Sequence, residues 1–348
     1  MTALLWKSGT AYDFFISLLA LHHAADFGLR PNWTAGVRQR LALPRREFLE
    51  HVYSFASLPL DWISNQPEPR DALPILHRAA ELPPADRLRV LTLPTDTPLE
   101  AAEILAHIAE RGSVTTAERE YLGRTLTRRN NPLRSVELEN LFKVWLEMDK
   151  SSRHILTAWQ EYYRVFFEEE ETRIRPALQA GLTAAQELAG RVALSVLVEE
   201  LSRGVQFEGV ETAREITLVP SYWSTPFVFP TRPGEGKMQI VFGCRREVES
   251  VAPGVETPDL LINALKALAD PTRLRILRYL SSQPLTPTEL SRLLRLRPPT
   301  VLHHLQALRL AELVAIRVSE NGDKCYAARM DTLKVIFSSV NEFLKKQD

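Results

Sequence analysis

The sequence predicts a mainly α-helical protein with small β elements, organised as two domains joined by a linker. Apolar residues recur at helical spacing through most of the first 200 residues and again after residue 259. Between these regions, at about 205–246, short β-rich runs alternate with prolines and glycines. We therefore expect a helical N-terminal domain over 1–248 that ends in a small antiparallel sheet, a linker over 249–258, and a second domain over 259–348.

Length and composition exclude several classes of protein. A chain of 348 residues with 45% hydrophobic and 25% charged residues is typical of soluble globular proteins with two or three domains. It has no apolar run near the ~18–20 residues that cross a bilayer, and its N-terminus lacks the features of a signal peptide. Cys244 and Cys325 are too few and too far apart for a disulfide framework. These observations predict a cytoplasmic protein with no membrane partner.

The first domain begins with two predicted helix starts. Thr10 and Asp13 resemble a capping pair before an apolar helix. Thr97 and Glu100 form a better capping pattern, and Pro98 stands at the favoured first helical position. The second pattern predicts a helix from Pro98 to Arg111.

Two further helices are expected before the β-rich region. Val136 to about Arg175 is long and aromatic, and Pro176 should end or kink it. A helix over Leu182–Leu201 should close at Gly204. Short runs from Ile216, Phe227 and Met238 then predict the two or three strands of the antiparallel sheet, with a turn at Pro233–Gly236.

The second domain has clear helix boundaries. Leu260 to Leu268 carries one apolar stripe, and Asp270 followed by Pro271 is a strong start for the next helix. Thr286 or Thr288 can open a third helix, which a three-residue turn, Arg295 to Arg297, separates from a fourth. This order is that of a helix-turn-helix.

The fourth helix, PPTVLHHLQALRL, has distinct buried and exposed sides. With Val301 at the centre of the buried side, Leu305 and Leu308 fall within about 40° of it. The opposite side is short or polar and carries no carboxylate, as a helix that enters the major groove of DNA requires. The candidate DNA contacts on or beside this helix are Arg297, Pro299, Thr300, His303 and Gln306.

A hairpin and a last helix complete the domain. Asn321-Gly322 predicts a hairpin turn between two short strands, which form a wing with positive charge from Arg317 and Lys324. The last helix, Met330 to Lys346, carries a long apolar stripe that favours pairing with a second copy of the chain. The residues expected at this dimer contact are Leu261, Leu265, Leu333, Phe337, Val340 and Leu344.

The charge distribution agrees with a nucleic-acid partner. Residues 259–348 hold 14 Lys and Arg against 9 Asp and Glu, and the rest of the chain holds 29 against 34. The difference is modest, but the basic part is the part that contains the helix-turn-helix.

These motifs resemble those of the ArsR/SmtB family of bacterial transcriptional regulators. ALADPTRLRILRYL, TPTELSRLL and PPTVLHHLQALRLAELV carry the resemblance over about Asp259 to Met330. It implies a winged helix-turn-helix in a homodimeric repressor or activator that binds a palindromic operator and is switched by a ligand. It also implies that His303 lies in the DNA groove.

The sequence departs from the family pattern in the turn before the fourth helix and within that helix. Arg295 replaces the usual turn glycine, Arg297 the usual N-cap serine, and Leu302 a serine before the histidines. The family's metal sites are absent, because Thr288–Arg295 has no cysteine pair and the last helix has no histidine. We therefore expect no metal and no other cofactor, and a small-molecule effector of the first domain stays possible.

Other candidates have simpler interpretations. His22 and Asp26 share a helical face, but no third metal ligand is identifiable, so a structural histidine is favoured. The aromatic residues of Trp145–Phe167 either line a ligand pocket or form core, and core is the commoner outcome. Cys325 lacks a resolving partner for redox sensing, so a plain thiol is favoured.

The main hypothesis is a DNA-binding transcriptional regulator with no catalytic residues. No nucleophile elbow, dinucleotide fingerprint or metalloprotease motif occurs. Two alternatives stay open: an enzyme domain for a small molecule with an appended winged helix, and an adaptor whose winged helix binds protein. A cluster of perturbed acids or histidines in a pocket would favour the enzyme.

Overall fold

A computed structural model of the chain describes residues 2–128, 131–246, 259–319 and 323–345. The predicted class is confirmed, since helices dominate and small sheets accompany them. The helices before residue 247 are α1 (Thr10–His22), α2 (Pro31–Gln39), α3 (Leu43–Phe55), α4 (Leu60–Ser64), α5 (Ala72–Glu81), α6 (Pro84–Thr92), α7 (Leu99–Arg111), α8 (Thr116–Thr125), α9 (Ser135–Leu146), α10 (Met148–Tyr162), α11 (Glu168–Ala189) and α12 (Leu194–Leu201). A π-helical segment, Tyr163–Phe167, joins α10 to α11. The expected linker, 249–258, lies outside the described residues.

Helix α1 is the centre of the first domain. Every residue from Thr10 to Leu21 is buried, because the sequence is apolar on nearly all sides. It packs against α3, α5, α11 and a strand of the sheet. Phe14 and Phe15 make edge-to-face contacts with Phe167 and Trp159.

The sheet of the first domain is mixed, so the antiparallel prediction is wrong. It contains β1 (Ala3–Trp6), β5 (Glu215–Ser221), β6 (Val228–Gly234) and β7 (Lys237–Gly243) in the order β1-β5-β7-β6. β5 pairs in parallel with both β1 and β7, and only β6 and β7 form a hairpin. β5 and β7 are buried along most of their lengths, which is typical of parallel strands that are covered on both faces. A minor hairpin, β2 (Thr127–Arg128) and β3 (Asn131–Pro132), lies apart.

Several predicted helix boundaries are also corrected. The stretch from Val136 to Arg175 is divided among α9, α10, the π-helical segment and α11. Pro176 does not end its helix, since α11 continues through it to Ala189. The helix predicted over Leu182–Leu201 is interrupted between α11 and α12.

The two capping pairs predicted in the first domain do not form. Thr10 is already helical, and its hydroxyl accepts a hydrogen bond from the Ala72 N–H at 3.0 Å. The Thr97 hydroxyl donates to the carbonyl of Pro94 at 2.7 Å, and the helix begins at Leu99 after Pro98.

The C-terminal region has its own apolar core. It contains α13 (Asp259–Leu268), α14 (Pro271–Leu280), α15 (Pro287–Leu294), α16 (Pro298–Leu310), β8 (Val314–Val318), β9 (Lys324–Ala328) and α17 (Met330–Lys345). The core is made of residues between Leu261 and Ile336. The predicted order of helices and wing strands is therefore present.

One strand of the first domain belongs to the C-terminal sheet. β4 (Val205–Phe207) pairs in parallel with β8, which gives the sheet order β4-β8-β9. β4 is not among the strands predicted from Ile216, Phe227 and Met238, and it joins the wing rather than the first-domain sheet.

Candidate nucleic-acid interface

Side-chain caps and one left-handed residue fix the helices that precede α16. The Asp270 carboxylate accepts from the N–H groups of Thr272 and Arg273, at 2.8 and 3.0 Å, which starts α14. Thr286 and Glu289 form a complete capping box at the start of α15. These bonds define where α14 and α15 begin.

The turn between α15 and α16 is short and contains a left-handed residue. Arg295 adopts φ 56°, a left-handed conformation that usually favours glycine. The Ser291 hydroxyl donates to the carbonyl of Leu296 at 2.5 Å, which closes the turn. The chain can therefore reverse into α16 without the family's usual glycine.

Helix α16 has the two faces that the helical wheel predicts. Val301, Leu305 and Leu308 are at most 1% exposed and belong to the C-terminal core. Thr300 and His303 lie on the exposed side. Arg297 and Pro299 are also exposed at the start of the helix. These residues present a continuous surface of small, polar and basic groups.

The start of α16 offers few backbone donors. Pro298 and Pro299 have no N–H, and the N–H of Thr300 donates to the carbonyl of Arg297 at 3.0 Å. An anion that approaches this end would therefore meet the Arg297 side chain rather than a set of free N–H groups.

Two candidate contacts are hydrogen-bonded to the first domain. The amide of Gln306 donates to the backbone carbonyl of Asp26 at 3.0 Å. In the wing, the Arg317 guanidinium donates to the side-chain oxygen of Gln206 at 3.2 Å, while Arg317 stays exposed. Lys324 is exposed at the start of β9, and the predicted turn at 321–322 lies outside the described residues.

His304 differs from its neighbour His303. It is half-buried, and its ring nitrogen lies 4.0 Å from the Asp270 carboxylate. Burial lowers the pKa of His304, which favours the neutral ring. Its surroundings suit a structural role rather than contact with a base.

Comparison with known proteins identifies this region. Residues 270–315 match the family model described as bacterial regulatory protein, arsR family. The matched segment resembles an ArsR-type helix-turn-helix, and the C-terminal region that contains it is called the ArsR-type domain below. The match runs from the cap of α14 into β8, and it supports a DNA-binding regulator of transcription. No curated protein and no solved structure is significantly similar to the chain.

The ArsR-type domain rests on the first domain through the second half of α16 and through the wing. Arg309 and Glu312 are only 4% and 5% exposed, and both contact residues of the segment 202–203. Sequence reasoning missed this contact, because two charged residues near a helix end are most often solvated. No local pattern indicated their burial.

The predicted dimer residues are only partly exposed. Leu265 is 43% and Phe337 57% exposed, whereas Leu261 is 6% exposed and lies in the core of the ArsR-type domain. Leu333 and Val340 pack against that core while partly exposed. Leu344 lies in α17, but its side chain is outside the described set.

The remaining candidates lie in packed surroundings. His22 stacks on Tyr53, and burial lowers the pKa of its ring to about 4. Trp145, Trp159 and Tyr162 are each 1% exposed and belong to the core of the first domain. Over the described ranges, no three His, Cys, Asp or Glu residues gather as a metal site, and no helix is long and apolar enough to span a membrane.

Proposed function

We propose that this protein is a homodimeric transcription regulator that reads a palindromic operator through the first half of α16. The observation that carries the proposal is the exposed face from Arg297 to His303 on an ArsR-type domain. No acidic side chain occurs between Arg297 and Gln306, so nothing on the helix itself repels phosphate.

The residues of this face have separate roles in the proposal. The Thr300 hydroxyl and the His303 ring meet base edges in the major groove, where each base pair has its own pattern of donors and acceptors. Pro299 allows close approach of the helix. Arg297 and Lys324 meet phosphates, which set position and orientation without reading sequence.

Dimer formation is supported by exposed apolar residues of α13 and α17. Phe337 is 57%, Val335 51% and Leu265 43% exposed, and pairing with a second copy would remove apolar surface of this kind from water. Two-fold pairing would place two copies of α16 about one DNA turn (~34 Å) apart.

We assign the first domain to regulation or dimer support rather than to catalysis. Its aromatic residues contact one another in the core, and its perturbed groups, such as His22, lie among them. A non-metal signal that changes how this domain holds α16 would change DNA affinity through the relative stability of two dimer states.

The experiment selects bound duplexes from a random-sequence library and then measures the affinity of variants by fluorescence anisotropy. Thr300→Ala and His303→Ala should each cost about 1–3 kcal/mol on the selected sequence and little on unrelated DNA. Arg297→Gln should weaken binding to both DNAs about equally.

Arg124→Gln is the matched control, because it removes one exposed positive charge from α8, far along the chain from the ArsR-type domain. It should bind as the wild-type protein does. Equal affinity of all variants for selected and unrelated DNA would contradict the proposal and favour the adaptor, whose winged helix binds protein.

A further inference from the structure

Arg309 joins the base of α16 to two separate segments of the first domain. Its guanidinium donates to the carbonyls of Arg203 and Ser202, each at 2.7 Å, and to the carbonyl of Pro226 at 3.2 Å. The residue is 4% exposed, and burial lowers its pKa to about 10, so it stays charged at neutral pH. A planar fork of donors is the side chain best suited to hold several carbonyls at once.

The charge of Arg309 belongs to a compact cluster at this contact. The Glu312 carboxylate, 5% exposed, pairs with Arg203 and lies 3.9 Å from the Arg329 guanidinium. Arg329 in turn donates to the carbonyl of Arg203 at 3.1 Å. Buried charges of this kind are tolerated only when their partners stay in place, so the contact is geometrically demanding.

The wing is held by the same segment of the first domain. The Ile316 N–H donates to the carbonyl of Gly204 at 2.8 Å, and the Glu208 N–H donates to the carbonyl of Val318 at 2.9 Å. β4 therefore closes the edge of β8 with backbone hydrogen bonds. Both DNA-facing parts of the ArsR-type domain, α16 and the wing, are fixed to one stretch of the first domain.

A second stretch leads from this contact into the centre of the first domain. This stretch is the segment Ser221–Pro226, and its last residue, Pro226, accepts a hydrogen bond from Arg309 through its carbonyl. At its other end, the Ser221 hydroxyl and the Trp223 N–H donate to the carboxylate of Asp13 in α1, at 2.8 and 2.7 Å. One six-residue segment thus connects the central helix to the recognition helix.

We propose that Arg309 is a positioning residue for DNA recognition, and that Ser221–Pro226 carries structural changes of the first domain to α16. This inference rests on the proposed function, because it concerns how α16 meets DNA. The first domain is then a fixed part of the DNA-reading unit rather than a separable attachment. Arg309 touches no DNA itself and acts by holding the helix that does.

The observed geometry favours positioning over autoinhibition. In the docked arrangement Thr300 and His303 are already exposed, so the docking contact does not cover the first half of α16. The contact instead takes the second half, where Gln306 and Arg309 are engaged. Release of the contact should therefore weaken specific binding rather than uncover it.

The experiment compares the full-length wild-type protein with Arg309→Met, which keeps the length of the side chain and removes the guanidinium. Arg278→Met is the control, since Arg278 is an exposed arginine of α14. Affinities for a selected duplex and for an unrelated duplex are measured well below the unfolding temperature of each protein. Hydrogen exchange is followed over 202–208, 221–226 and 314–318.

We expect Arg309→Met to lose about tenfold or more in affinity for the selected duplex, comparable to the loss of a good base contact. Binding to the unrelated duplex should change little, a pattern that a general loss of stability would not produce. Exchange should become faster in the three segments. Wild-type specific affinity, or tighter binding, in Arg309→Met would overturn the proposal, and tighter binding would identify the contact as autoinhibitory.

Failure of the proposed function gives a different result. If the wild-type protein binds no DNA, exchange alone decides the role of Arg309. Faster exchange confined to the three segments in Arg309→Met supports the inference that Arg309 holds α16 and the wing against the first domain. Unchanged exchange overturns that inference. If Arg309→Met fails to fold, the same measurements are made on Glu312→Gln, which keeps the side-chain volume. We again expect weaker binding to the selected duplex and faster exchange in the three segments.

Discussion

Asp13 is a fully buried carboxylate in the central helix α1. Its Oδ1 atom accepts hydrogen bonds from Ser221 and Trp223, and its Oδ2 atom has no partner among the described residues. Burial raises the pKa of Asp13 to about 7, and the nearby Glu170 adds to the effect. A carboxyl whose pKa is higher in the folded than in the unfolded protein binds its proton more tightly when folded. Its contribution to stability is therefore present at low pH and is lost as pH rises from about 4 to about 7.

We expect Asp13→Asn to remove this loss, because the amide is neutral at every pH and its oxygen can still accept both hydrogen bonds. The free energy of unfolding in urea should fall between about pH 4 and about pH 7 in the wild-type protein, by about 1.4 kcal/mol for each unit of pKa difference that is crossed. It should fall less in the variant. Glu103→Gln, at an exposed position of α7, serves as the control. Identical pH dependence in wild type and Asp13→Asn would rule out this role.

At the scale of elements, the turn between α15 and α16 holds a residue in an unfavourable conformation. Arg295 at φ 56° follows the last residue of α15, where glycine is usual because it lacks the Cβ that makes this region costly. Arg295→Gly should raise the free energy of unfolding by about 1 kcal/mol.

The matched control is Arg292→Gly, within α15, where glycine should lower the free energy of unfolding by about 1 kcal/mol. Urea titrations followed by circular dichroism measure both changes. Destabilisation of the same size in both variants would show that Arg295 makes interactions that outweigh its conformational cost.

The capping patterns show how far local sequence determines an element. Thr286, one of the two predicted starts of the third helix, forms a complete capping box with Glu289, whereas Thr97 and Glu100, with the same spacing, form none. Glu100 instead accepts a hydrogen bond from the hydroxyl of Tyr121 at 2.8 Å, and Thr97 bonds to Pro94. Two stretches with the same capping pattern therefore form different structures, because other hydrogen-bond partners engage the side chains of Thr97 and Glu100.

At the scale of the whole molecule, contacts that span long stretches of chain escaped prediction. The exposed side of α16 followed from helical periodicity, because burial there depends on residues three and four apart. The bond from Gln306 to Asp26 and the pairing of β4 with β8 join residues more than 100 positions apart, and neither leaves a local pattern. The exposed side of α16 could therefore be predicted from the sequence, but the contacts that hold this helix against the first domain could not.

The proposed association of two copies is tested at the same scale. Phe337→Glu replaces a 57% exposed apolar side chain of α17 with a charge, so we expect it to convert a dimer to a monomer in light scattering at micromolar concentration. Loss of the dimer should also weaken operator binding. Leu99→Glu, at a 76% exposed position of α7, should remain dimeric. A wild-type protein that is monomeric, or a Phe337→Glu variant that stays dimeric, contradicts the proposed interface.

The salt dependence of DNA binding by the wild-type protein tests most directly whether this protein is a sequence-specific DNA-binding regulator. Anisotropy titrations with a selected duplex and an unrelated duplex, at several salt concentrations, give both the specificity ratio and the slope of affinity against salt. We expect nanomolar binding to the selected duplex and a large preference over unrelated DNA. The affinity should fall steeply as salt rises, because phosphate contacts release counterions. Absent binding, or binding that salt does not weaken, would contradict it.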